Sequence, residues 1–166
     1  MGLPQGTVGN SEAGHLHIGA GRRSYSDRLL IDRPIQDGTF FRNEAFLWAM
    51  RGAKRDRKKL HLLGSVSFFS SHGSLEHLRA LFKLAKQELV ENLCHHAMPG
   101  RRGEKKESGA RYLEMIEKEL EDLRLGRLVS VIGRYWSLDR EENWDRIEKT
   151  YRMLVYGEGG KVRNSG

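Results

Sequence analysis

One cysteine, Cys94, stands in the 166 residues, so no internal disulfide can form. It lies in an apolar run and is assigned to packing, a usage that suits a reducing compartment. No apolar run approaches the roughly 20 residues that a membrane helix needs. The first residues lack the charged-then-apolar pattern of a secretory leader, and Gly6 stands where the myristoylation template wants Ser or Thr. A cytoplasmic protein without membrane contact is the expectation. Zinc-ligand spacing and RNA-recognition signatures are missing too, and the basic residues lie beside Glu without aromatic interleaving. Nucleic-acid binding therefore ranks lowest among the possible functions.

Hydrophobic residues make up 38% and charged residues 31%, an ordinary balance for a globular chain of a length that suits one domain. A monomer is expected. Lys and Arg number 29 against 22 Asp and Glu, a formal charge of +7 that favours anionic partners.

The pattern along the chain alternates between two periods. Ser26 and Asp27 offer an N-cap for a short helix with Leu30, Ile31 and Ile35 on its apolar side, stopped at Asp37 and Gly38. Asn43 starts another, carrying Phe46, Leu47 and Met50. Residues 60–66 form a short apolar run between charge and turn residues, the mark of a buried parallel strand. A helix over about 74–88 follows, with Leu78, Leu81, Phe82 and Ala85 as its stripe. Residues 93–98 form a second strand ended by Pro99 and Gly100. Ser108 is expected to cap a long helix through Leu123, and 128–132 to form a third strand. A last helix carries Trp144, Ile147, Tyr151 and Leu154 to Gly157, with Trp144 and Tyr151 expected to pack. Met50, Met98, Met115 and Met153 are likewise assigned to packing. Alternation of this kind predicts the α/β class, a three-layer αβα domain with a mainly parallel sheet.

In such sheets ligands bind beyond the carboxyl ends of the strands, which singles out three loops. They hold His72, then Arg101 and Arg102, then Arg134 and Arg140. Arginine's planar fork suits carboxylate and phosphate, so their convergence suggests an anion pocket. Tyr135 and Trp136, between the last two arginines, either wall that pocket or pack. Adjacent His95 and His96 in a strand must face opposite sides, and no histidine has an acidic partner at a recognised ligand spacing. No complete metal site is expected within the chain.

The stretch Gly9-Asn10-Ser11-Glu12-Ala13-Gly14-His15, followed by Ile18-Gly19-Ala20-Gly21-Arg22, places one hydroxyl in a glycine-rich turn that a bulky anion could approach. Such a string alone is more often a surface turn. As a whole, however, it resembles the nucleophile segment of the cofactor-independent phosphoglycerate mutases of the alkaline-phosphatase superfamily. Residues 60–64 with His72, Arg102 in its loop, and Arg134 through Arg140 with Trp144-Asp145-Arg146 resemble the same family's substrate-binding segments. The resemblance divides the chain into a nucleophile-bearing segment, 1–25, and part of a transferase domain, 26–166. It implies that Ser11 accepts the phosphoryl group and ligates manganese, and that His72, Arg102, Arg134 and Arg140 contact 3-phosphoglycerate or 2-phosphoglycerate. It further implies two manganese ions, most of whose ligands come from a phosphatase-like domain this chain does not carry.

The sequence departs from the family at particular points. Where the family has Ser-Asp-Gly-Gly-Val-His-Ser-His, residues 67–74 read Ser-Phe-Phe-Ser-Ser-His-Gly-Ser, and Gly100 and Gly103 replace the acids of the Asp-Gly-Arg-Asp loop. Those acids could orient a substrate hydroxyl or move its proton. Two readings stay open: a partial enzyme interconverting the two phosphoglycerates through a phosphoserine, or a non-catalytic module that binds phosphorylated anions.

Overall fold

A computed structural model describes residues 11–67, 73–100, 105 and 107–161. The described residues begin in helix α1 (Ser11–Ala20), followed by α2 (Asp27–Asp37), a single 3-10 turn (Thr39–Arg42) and α3 (Glu44–Arg55). Ser26 caps α2 by accepting from the Leu29 amide, and Gly38 ends it at φ 85°. Asn43 caps α3 through its side-chain oxygen, which accepts from the Ala45 and Phe46 amides at 3.1 and 3.2 Å. Both starts follow the predicted residues.

Strand β1 (Leu60–Val66), helix α4 (Leu75–Gln87), strand β2 (Leu93–Pro99), helix α5 (Ser108–Leu123) and strand β3 (Arg127–Val131) come next. The described strands pair in parallel in the order β1-β2-β3. The class is therefore α/β with a parallel sheet, as the alternating pattern predicts. Helices α6 (Arg134–Ser137) and α7 (Trp144–Tyr156) complete the described chain.

Register and alternation decide which residues meet the core. Leu60, Leu62, Leu93, Ala97 and Leu128 join a cluster with Leu75, Phe82, Leu84, Ala85, Tyr112, Ile116 and Leu120 from α4 and α5. Phe46, Leu47 and Met50 of α3 pack on the same cluster. On the opposite face His61 is exposed, Leu63 is 54% exposed, and His96 and Ser130 stand in register. A bulge between His95 and His96 shifts β3 by one residue.

Two features differ from the sequence reading near the helix ends. Ser108 does not cap α5: Glu107 occupies the cap position and is already helical at φ −78°, ψ −13°. The chain thus never offers Ser108 the extended backbone that lets a hydroxyl reach back to the next amides. Trp144 and Tyr151 do not pack either, being 72% and 54% exposed. The apolar side of α7 outruns what α6 and the sheet end can cover. Leu30 and Ile31 of α2 are also exposed, while Ile35 reaches the core.

Candidate functional site

Ser11 lies within the described helix α1 rather than in a turn. Gly21 at φ 59° follows the end of the helix. The Ser11 side chain is exposed, and Leu16 and Ile18 of the same helix are 54% and 82% exposed. His15 Nδ1 lies 2.7 Å from the Ser11 carbonyl oxygen and 3.2 Å from Ser11 Oγ. A carbonyl can only accept, so that nitrogen carries the proton and donates. His15 is therefore unable to take the Ser11 proton from this position.

At the carboxyl edge of the sheet the picture is more ordered. The Ile132 amide donates to the Ala97 carbonyl at 3.0 Å, tying the end of β3 to β2. Gly100, at φ 114°, lies so close that a Cβ there would stand 3.3 Å from Arg134 Cγ. The loop after β2 and the helix after β3 thus meet at Arg134. His72, Arg102 and their neighbours Arg101 and Gly103 lie outside the described residues.

The segment that carries Arg140 is built around a residue the sequence reading gave no role, Asp139. Its Oδ1 accepts from the amides of Glu141 and Asn143, both at 3.0 Å. Its Oδ2 accepts from Asn143 Nδ2 at 2.9 Å and Arg146 Nη1 at 2.8 Å. Burial would raise the carboxyl's pKa, but these amide and guanidinium donors outweigh it and hold the group below its ordinary value. An Asp four residues before an Asn was the available signal for such a side-chain-organised turn.

Arg146, held by Asp139, also lies over the Tyr135 ring at 4.2 Å, and Lys149 lies over Trp136 at 3.9 Å. The two aromatic faces are thus taken by cations of α7, which fastens α7 to α6. Arg134 and Arg140 differ from Arg146. Neither guanidinium has an ion pair or side-chain hydrogen bond among the described residues, and Arg140 is exposed. The structure joins Arg134 to the loop after β2; no hydrogen bond or ion pair joins Ser11 to either arginine.

Comparison with known proteins matches the family model described as BPG-independent PGAM N-terminus to residues 31–165. The chain belongs to this family. Among relatives of the BPG-independent mutases, the 2,3-bisphosphoglycerate-independent phosphoglycerate mutase of Syntrophotalea carbinolica is 44% identical over 165 residues. That of Lachnoclostridium phytofermentans is 42% identical over the same length. Each comparison covers 99% of this chain and 32% of the relative, so the chain spans about a third of the length of these mutases. Among solved structures, a Leishmania mexicana phosphoglycerate mutase crystallised at low cobalt concentration superposes with a TM-score of 0.85 at 26% identity. It covers 99% of this chain and 31% of that one.

The manganese ions implied by resemblance to the mutases do not fit the residues described. No group of three or more His, Cys, Asp or Glu side chains able to hold a metal occurs among them. Ser11 has His15 beside it, and no carboxylate is in hydrogen-bond contact with it among the described residues.

Proposed function

We propose that this chain is the phosphoglycerate-holding portion of a 2,3-bisphosphoglycerate-independent phosphoglycerate mutase, an isomerase of glycolysis and gluconeogenesis in the cytoplasm. Support comes from family membership over residues 31–165 together with two guanidiniums, Arg134 and Arg140, that are unpaired among the described residues and lie beyond the carboxyl ends of the strands. That edge is where open α/β sheets bind their ligands.

In this reading Arg102, Arg134, Arg140 and His72 bind the phosphate and carboxylate of the substrate and offset charge spread over the transferring phosphoryl group. The bond from phosphorus to the substrate oxygen breaks as a bond to Ser11 Oγ forms. The glycerate turns in its place, and its other hydroxyl takes the phosphoryl group back from Ser11. The hydroxyl proton must leave Ser11 in the first half and return in the second, and His15 as placed cannot accept it.

Calorimetric titration of the purified chain with 3-phosphoglycerate tests the proposal. Saturable binding that Arg134→Ala and Arg140→Ala each weaken at least tenfold is the expected result. Binding indifferent to both substitutions, or none at all, overturns the substrate-holding role.

The exposure of Ser11 and the proton on His15 Nδ1 favour a second reading, a module that binds phosphorylated anions without turnover. In that case Ser11→Ala leaves affinity unchanged while Arg134→Ala removes it, and no phosphoryl group is ever found on the chain.

A further inference from the structure

The open face of the sheet carries a second cluster that the phosphoglycerate reading does not use. His61 of β1 and His96 of β2 are diagonal neighbours on that face, since His61 pairs with Cys94 and Leu63 with His96. Their ring planes are 21° apart, with 5.1 Å between centroids. His61 Nδ1 lies 2.8 Å from His96 Nε2. The other nitrogen of His96, Nδ1, lies 2.7 Å from Ser130 Oγ on β3.

We propose that His61 and His96 bind one divalent cation of the imidazole-preferring class, Cu2+, Ni2+ or Zn2+, between Nδ1 of the first and Nε2 of the second.

Three observations carry the assignment. First, the two nitrogens already face each other, and such a pair needs one proton between them that a cation can replace. Ser130 Oγ can accept from His96 Nδ1–H, which leaves the lone pair of Nε2 turned toward His61; ligating histidines are commonly oriented in this way by a partner on the other nitrogen. Second, His61 is exposed, so its ring can move its proton from Nδ1 to Nε2 through solvent and present a second lone pair with no net proton released. Third, both rings stand on paired strands, which hold ligands more firmly than loops do. Imidazole suits Cu, Ni and Zn over Mg and Ca, whose preference is oxygen. Cys94 stands on the same face in register with His61, yet no third side chain completes a group of three among the described residues. Water fills the remaining positions, so the site is an open one.

The full chain, stripped with chelator, is titrated with Cu2+ and with Zn2+ by calorimetry, and the Cu2+ complex is followed by its visible absorption. One ion per chain is expected at this site, with affinity falling at least tenfold in His61→Ala and in His96→Gln. Because His96 lies in the central strand, the far-ultraviolet circular dichroism of each variant is compared with the parent, and His61→Ala alone decides if His96→Gln unfolds. Ser130→Ala is expected to weaken binding roughly tenfold, the usual effect of losing an orienting partner. His15→Ala and Ser11→Ala keep the parent affinity, which separates this site from α1 and from any metal the mutase chemistry uses. Parent-like affinity in folded His61→Ala, or no binding by the parent chain, overturns the proposal.

Discussion

His95 shows how one side chain can set the acid stability of the whole sheet. It is 1% exposed on the core side of β2, with Nδ1 3.2 Å from the Leu62 carbonyl and its ring edge-on to Phe82 at 5.8 Å. Nδ1 must donate to that carbonyl, which leaves Nε2 as a buried lone pair with no partner among the described residues. Burial lowers the pKa to about 4, although the Leu62 carbonyl pulls the other way. Its neighbour His96 is lowered too, by burial first and by His61 second. The folded chain therefore resists protonating His95 while the unfolded chain, near 6.5, does not. Stability from this residue is fully present above pH 6.5 and is lost as pH falls toward 4, where the loss levels off. A difference of that size corresponds to roughly 3 kcal/mol. Urea unfolding should show a lower midpoint at pH 4.5 than at pH 7, and His95→Leu should remove much of that difference. An unchanged pH dependence in the leucine variant would show that other groups govern acid unfolding.

At the scale of elements, the turn from α5 into β3 is the most constrained junction. Arg124 takes a left-handed backbone at φ 49°, Leu125 is 1% exposed, and Gly126 follows at φ 64°. A Cβ on Gly126 would fall 2.0 Å from the Leu93 carbonyl oxygen, an overlap that only a shift of β2 could relieve. Gly126→Ala should cost about 1–2 kcal/mol from the left-handed backbone and more from the overlap with Leu93, measured as a lower denaturation midpoint. A variant within 0.5 kcal/mol of the parent, on the same order as a surface change, would contradict the close approach. Much of this level was legible in the sequence. The apolar runs at 60–66 and 93–98 have the length and flanking turns of parallel strands, and Asn43 and Gly38 carry their chemistry in their side chains. Residues whose state depends on distant partners were harder to read. Periodicity marks Trp144 and Tyr151 as an apolar face but cannot say that they stay exposed among the described residues. Ser108 looked like a cap because caps are a matter of residue type until the backbone one position earlier is known. Arg134 and Arg140 are legible from topology as a pair following β3, although Arg134 begins α6 rather than lying in a loop, whereas the Asp139 hub that shapes their segment depends on four hydrogen bonds formed only once the turn exists.

For the molecule as a whole, the ratio of lengths matters most. The chain spans 32% of the Syntrophotalea carbinolica mutase at 44% identity, and its Ser11 hydroxyl meets no base or metal group among the described residues. A serine hydroxyl at its ordinary pKa is a weak nucleophile, and phosphoryl transfer relies on positioned charge to stabilise its transition state. In the proposed reading the arginine edge binds substrate and steadies the transferring phosphoryl group, but with no group among the described residues placed to take the Ser11 proton the chemical step stays slow. The chain alone should therefore bind 3-phosphoglycerate yet form 2-phosphoglycerate no faster than the uncatalysed background in a coupled assay, with or without added Mn2+. Co-expression with the remaining two thirds of a close relative's sequence should raise the rate, and Ser11→Ala in this chain should abolish the gain. Manganese-dependent turnover by the isolated chain, lost in Ser11→Ala, would mean that residues within these 166 assemble a working centre, and the assignment of a holding role to them would be wrong.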